Sequence, residues 1–197
     1  MKKVIFATTN KNKVREVNMM MKDFDVELQT MGEAGINIDI VEDGKTFEEN
    51  AIIKAKTIME ATGEIALADD SGLEVDYLDG APGIYSARFL GEDTSYDEKN
   101  KYIIEKLKDA KGKERSARFV CAMAVAFPNG EIETCRGTIE GLIGYEQKGK
   151  NGFGYDPIVY VPEYEMTTGE MAPELKNSIS HRGKALEQMK EILKRKL

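Results

Sequence analysis

The chain has 197 residues, of which 41% are hydrophobic and 32% charged, and its net charge is −7. A chain this long hides roughly 70% of its unfolded surface, so it needs no disulfide staples. The acidic balance argues against a broad face for nucleic acid polymers, which takes a basic stripe. An anionic small substrate is still allowed if cations, or a metal, gather at one place.

Two cysteines without a CxxC pattern, Cys121 and Cys135, fit a reducing compartment. The longest apolar run, Phe119 to Phe127, falls well short of the roughly 20 residues that a bilayer-spanning helix needs. The apolar stretch in "MKKVIFATTN" is too short for a signal peptide. The expectation is a cytoplasmic protein with no membrane partner. The single histidine, His181, excludes a multi-histidine zinc centre. Any metal is then held by oxygen, which favours Mg²⁺ or Mn²⁺.

In chain order, Val4 to Ala7 reads as a short buried strand, followed by polar "TTNKNK" and a helix from about Asn12 to Lys22 with Val14, Val17 and Met20 or Met21 on its apolar side. "IDIVEDGKTFEEN" predicts a strand, a turn at Asp43-Gly44 and a helix start. Thr46 with Glu49 forms a capping box for that helix. The helix carries Ala51, Ile52, Ala55, Ile58 and Met59 and stops near Gly63. Ile65 to Ala68 predicts a second buried strand, "DDSG" a turn, "LEVDYL" an exposed alternating strand and "GAPG" another turn. Ser95 with Glu98 opens a helix to about Asp109. Two strand-like runs joined by Pro128-Asn129-Gly130 give a hairpin. It carries Cys121 and Cys135 as buried, non-catalytic thiols. "GKNGFGYDPIVYVP" is a Gly-rich loop feeding a strand that ends at Pro162, and the last helix runs from about His181 to Lys196. Strands and helices interleave, and the hairpin makes the sheet mixed, so the fold class is α/β.

Three stretches bear chemistry. In "ATTNKNK" a strand ends in a polar loop that opens a helix, where unpaired N–H groups and the helix dipole attract anions. Without glycine or a GK[ST] ending it is no Walker A loop. Taken alone, it is better read as an ordinary N-cap with a solvated lysine. The second stretch holds adjacent Asp69 and Asp70. Side chains alternate along a strand, so one acid should point into a site and the other should stabilise the turn. With Glu42, Glu48 and Glu49 on other segments, a carboxylate pair for Mg²⁺ is available, although acids in a first helical turn are stabilising in themselves. A haloacid-dehalogenase nucleophile wants Asp-x-Asp, and a phospho-receiver wants a separate acceptor Asp; neither spacing is present. In "NGFGYD" and "NSISHRG", Gly152 and Gly154 let backbone approach a ligand. Phe153 and Tyr155 are candidates to stack on a base, with Lys176 and Arg182 as cations. A hairpin corner and a helix cap account for the same residues.

In order and spacing, "TTNKNK", "TFEENAIIKA", "ADDSGLEVDYLDGAPGIYSARF", "GFGYDP" and "SISHRGKAL" resemble the inosine/xanthosine triphosphate pyrophosphatases of the RdgB/Ham1 family. The resemblance runs nearly end to end, so 1–197 reads as a single domain. It implies an elongated, two-lobed, mixed α/β fold of Ham1/Maf-like type with the active site in the cleft between the lobes. It also implies a homodimer and Mg²⁺-dependent hydrolysis of XTP, ITP and dITP to the monophosphate and pyrophosphate. Carried over by position, Thr8, Thr9, Asn10, Lys11, Asn12 and Lys13 hold phosphates, and Glu42 and Asp70 hold Mg²⁺. Asp70 accepts the proton of the attacking water and Ser71 touches substrate. Phe153, Gly154, Tyr155 and Asp156 line one side of the nucleotide pocket and Lys176, His181 and Arg182 another, with Lys54 and Arg88 near the phosphates. Arg182, or N–H groups near His181, would donate to the 6-keto oxygen of inosine and xanthosine, where adenine presents a donor. A non-catalytic nucleotide sensor and a Maf-type pyrimidine pyrophosphatase are the competing readings; the SHRG and GFGYD motifs disfavour the latter.

Overall fold

Val4, Ile5 and Phe6 follow one another without a polar residue, and Lys2–Phe6 forms β1, a strand whose last three residues are buried, as a parallel strand covered on both faces requires. The computed structural model describes residues 1–197. In it β1 lies between two parallel neighbours, β2 (Val26–Thr30) with Val4 opposite Leu28, and β3 (Ile65–Val75) with Val4 opposite Ile65. The connections are helical: α1 (Lys11–Met21) and α2 (Phe47–Thr62). Thr46 Oγ1 caps α2 by accepting from Glu49 N at 3.1 Å, and Gly63 ends it in the left-handed region at φ 69°.

β4 (Ser116–Ala126) and β5 (Ile132–Ile143) flank the turn at Pro128-Asn129-Gly130, where Phe127 N donates to Glu131 O at 2.9 Å. β6 (Val159–Val161) and β7 (Met166–Thr167) continue antiparallel. One mixed seven-stranded sheet results, in the order β2-β1-β3-β4-β5-β6-β7. Three further helices complete the chain: α3 (Tyr96–Lys106), α4 (Pro173–Ile179) and α5 (His181–Lys196). No helix is long and apolar enough to cross a membrane.

The chain divides into two units, residues 1–70, 121–137 and 181–197 in the first and residues 71–120 and 138–180 in the second. The first has two apolar clusters. One joins Val17, Met21, Phe6, Leu67, Met123, Leu186, Met189 and Leu193; the other joins Ile5, Ala51, Ala55, Ile58, Ala66 and Ala68. The second unit is built on Leu73, Val75, Ile103, Leu107, Phe119, Ile143 and Ile158. Cys121 is buried and Cys135 half-buried, both as free thiols, and burial raises both thiol pKa values, that of Cys135 to about 11.

Three sequence expectations change. The "DDSG" stretch is no turn, because β3 runs unbroken from Ile65 to Val75. "LEVDYL" is no exposed strand, since Leu73 and Val75 are fully buried, Glu74 and Asp76 turn to Arg118 at 3.5 and 2.9 Å, and Asp76–Leu78 is a single 3-10 turn. The alternation had the right period; which face met a core depended on residues far away in the chain. Ile36, Ile38 and Ile40 also alternate, but they pack part-buried against the Ile5–Ile58 cluster outside any strand. The strand beside β1 is instead Val26–Thr30, and β7 and α4 are additional elements.

Gly137 on β5 leaves no room for a side chain, because a Cβ there would fall on the His181 carbonyl oxygen and within 2.6 Å of Ala185 N, both backbone atoms. Gly137→Ala is expected to cost about 1–3 kcal/mol by overpacking, read as a lower denaturant midpoint at unchanged slope.

Candidate functional site

At the end of β1 the chain turns into α1 through Thr8 and Asn10. Thr8 Oγ1 accepts from Asn10 N at 3.1 Å, and Asn10 Oδ1 accepts from Asn12 N at 3.0 Å and Lys13 N at 3.3 Å. Asn10 is therefore the helix N-cap. Thr9 and Lys11 are exposed and Thr8, Asn10, Asn12 and Lys13 part-buried. Lys13 is not solvated: its Nζ lies 3.1 Å from Asp69 Oδ2, with the side chain 12% exposed.

Asp69 is fully buried and sits in a cage of cations. Arg182 places Nη2 at 3.2 Å and Nε at 3.3 Å from Oδ2, and its Nη1 donates to Glu16 Oε2 at 2.6 Å. Burial alone would raise the Asp69 pKa; Lys13, Arg182 and Lys54 outweigh it and hold the carboxyl well below the usual range. Asp69 thus links β3 to α1 and α5 and stabilises no turn. The Arg182 guanidinium, 1% exposed, is held against Asp69 and Glu16.

Asp70, the next residue on the strand, faces other partners. Asn50 Nδ2 donates to its Oδ2 at 3.2 Å, and Lys54 Nζ lies 3.8 Å from Oδ1 and 2.8 Å from Glu42 Oε1. Asn50 and Lys54 are one turn apart on α2, so both reach the same side. Asn50 Oδ1 also accepts from Gly44 N at 2.8 Å, fixing the loop that carries Glu42. A side chain at Gly44 would come within 2.6 Å of that oxygen. Burial, joined by the Glu42 charge, pushes the Asp70 pKa up to about 6 against the pull of Lys54, Lys13 and Asn50. Burial opposes charge on Lys54 as well, but Asp69, Asp70 and Glu42 together raise its pKa. The other acids considered for a metal are engaged elsewhere. Glu48 pairs with Arg136 at 2.8 Å, and Glu49 accepts from Lys45 N at 2.6 Å. Asn50 was missed in the sequence; the available signal was a polar i,i+4 pair on the buried side of a helix whose other inward residues are Phe47, Ala51, Ala55, Ile58 and Met59.

In the second unit, Phe153, Gly154, Tyr155, Asp156 and Lys176 come together. Asp156, 2% exposed, accepts from Phe153 N at 2.8 Å, Thr168 Oγ1 at 2.8 Å and Lys176 Nζ at 2.7 Å. Its carboxylate shapes the loop from inside. Gly152 has φ 71°, and a Cβ there would meet the Asp156 carboxylate, so the loop closes only over glycine. The Lys176 ammonium lies 4.8 Å from the Phe153 ring centre. Tyr155 corrects an expectation: it is 4% exposed, its OH donates to Ser86 O at 2.6 Å and its ring meets Tyr96 edge-on at 5.2 Å. It supports the loop, which leaves half-buried Phe153 as the candidate stacking ring. Ser71 is half-buried at the start of this unit. Arg88 lies over the exposed Tyr85 ring at 5.4 Å. His181 and Arg182 belong to the first unit and Lys176 to the second.

The profile of the Ham1 family matches residues 4–192. A protein of Clostridium perfringens named dITP/XTP pyrophosphatase is 49% identical over 200 residues, covering 98% of each chain. One of Desulforamulus reducens with the same name is 51% identical over 193 residues, covering 98% of this chain and 96% of that one. Among solved structures, a HAM1 protein from Coxiella burnetii superposes with a TM-score of 0.90 at 42% identity, covering 99% of this chain and all of the other.

Because burial lifts the Asp70 pKa above its unfolded value, the stability tied to this group is present below the unfolded pKa of about 3.9 and is lost as pH rises through about 6. Metal-free Asp70→Asn is therefore expected to be more stable than wild type at pH 8, with the gap closing toward pH 4.5. Denaturant unfolding at the two pH values checks this; a variant less stable at pH 8 contradicts it.

Proposed function

The chain belongs to the Ham1 family, and on that premise we propose that it hydrolyses non-canonical purine nucleoside triphosphates, dITP, ITP and XTP, to the monophosphate and pyrophosphate. Relatives at about half identity over nearly the full length bear the name dITP/XTP pyrophosphatase. The observation that carries the reading is Asp70: a buried carboxylate with its pKa pushed up to about 6, adjacent in sequence to a second carboxylate held firmly charged. Strongly shifted acids mark sites of chemistry.

The donor set fits a hard divalent cation. Glu42 and Asp70 already share one cation, the Lys54 ammonium. Two carboxylates with waters and substrate phosphates are the usual company of Mg²⁺. Glu42 and Asp70 would hold the ion, which supplies charge neutralisation at the phosphates. The protein's own residues do the rest. Lys13 and the Thr8–Asn12 turn bind the phosphate chain, Lys13 being aimed by Asp69. Asp70 takes a proton from the attacking water as its oxygen bonds to phosphorus and pyrophosphate departs, and Lys54 remains beside the acids as counter-charge. Ser71 touches substrate. Phe153 and Gly154 face the purine, with Tyr155, Asp156 and Lys176 behind them as support. Base selection falls to Arg182 or to backbone N–H groups around His181.

Both units are read as one catalytic domain, since the family profile spans residues 4–192. A cytoplasmic homodimer is the proposed working form. Pyrophosphate release with Mg²⁺ over ITP, XTP, dITP, dUTP and the canonical triphosphates is the test. The keto purines should be turned over and ATP hardly at all. Asp70→Asn should fold and lose on the order of 10²–10⁴ in turnover. Equal rates on ATP and ITP sink the specificity; binding without turnover makes the protein a sensor; turnover of dUTP alone points to the pyrimidine reading.

A further inference from the structure

The inward side of α3 breaks the usual rule for a buried helix face. Its far end supplies Ile103 to the core, followed by Leu107 just beyond the helix, but its first turn and a half buries Lys99 and Asn100, each 1% exposed. Lys99 has no carboxylate partner: its Nζ donates to Ala87 O at 2.6 Å and lies 4.7 Å from the Tyr96 ring centre. Asn100 Nδ2 donates to Gly154 O at 3.2 Å and to Gln147 Oε1 at 3.2 Å, while its Oδ1 is buried with no hydrogen bond. The carbonyl partners fix the amide's orientation, because only the nitrogen end can face Gly154 O and Gln147 Oε1.

An unsatisfied buried acceptor is destabilising, and an apolar residue here would avoid that cost. What the amide provides instead is a fixed Gly154 peptide. Gly154 has φ 63°, and a Cβ there would stand 3.6 Å from the Tyr96 ring. Tyr155 stacks edge-on against the same ring and bonds Ser86 O, next to the Ala87 O that Lys99 holds. One turn of α3 thus ties together the 83–88 turn and the 152–156 loop, gripping the loop by one carbonyl.

We propose that Asn100 is a positioning residue for base recognition: its amide holds the Gly154 carbonyl, and through it sets where Phe153 and Gly154 meet the purine. This rests on the reading of 152–156 as the purine loop. Asn100 touches no phosphate-binding group and acts through Gly154, so its loss should weaken recognition of the base and leave the triphosphate end alone.

The test compares wild type with Asn100→Asp, an isostere without the N–H donors, and Asn100→Ser, which is smaller and neutral. The readouts are KM and kcat for ITP and the inhibition constant of inorganic tripolyphosphate, which has no base. The expected result is a KM for ITP at least tenfold higher, kcat within about threefold, and tripolyphosphate inhibition unchanged. An unchanged KM overturns the proposal. A parallel weakening of tripolyphosphate overturns it too, since a general loosening of the structure would move both. If neither variant folds, Asn100 is a folding residue and the proposal is wrong. Failure of wild type to hydrolyse ITP would instead remove the functional reading beneath it, a result distinguishable from all of these.

Discussion

Neighbouring residues on a β-strand point to opposite faces, and β3 stays a strand through Asp69 and Asp70. That constraint separates two identical side chains into opposite environments. Asp69 goes to Lys13 and Arg182, while Asp70 goes to Asn50, Lys54 and Glu42. The first is over-compensated by cations and the second under-compensated, and their pKa values move apart. Pairs of titratable groups driven apart by their surroundings are how proteins obtain one fixed charge and one mobile proton from like residues.

The two acids also play unequal parts in stability. Removing one partner from a buried ion pair leaves an uncompensated charge and is strongly destabilising, so Asp69, Arg182 and Glu16 read as a unit that the fold requires. Asp70 is the reverse, a charge that the apo-fold accommodates poorly. Active sites commonly carry such local destabilisation, and function gains from it. Asn50 and Gly44 show how tightly this is arranged: one amide accepts from the Glu42 loop and donates to Asp70, with only glycine fitting against it.

Much of this was legible in the sequence where the signal is local. Capping boxes placed the starts of α2 and α3, the Pro-Asn-Gly turn placed the β4–β5 hairpin, and the helical stripe placed α5 from His181 to Lys196. Signals that depend on distant partners failed. Ser71 and Gly72 have turn composition, yet the sheet keeps them in a strand. Ile36, Ile38 and Ile40 have strand alternation with no ladder to join, while Val26–Thr30, with one buried residue, gained its place from β1. At the site, resemblance rather than spacing singled out Glu42 and Asp70. Buried amides such as Asn50 and Asn100 carry no mark in a sequence, because their meaning lies wholly in what they bond. Tyr155 misled for the related reason that an aromatic ring's burial is decided by Tyr96 and Ser86.

The first unit is assembled from residues 1–70, 121–137 and 181–197. Its most buried anion therefore waits for a cation encoded 113 residues later, Arg182. Until α5 leaves the ribosome, the nascent chain holds a carboxylate that burial would penalise, with Lys13 and Lys54 but not yet Arg182 to offset it. Consolidation of this half is thereby deferred until α5 has been made, whereas β1 and β2 can pair from the outset.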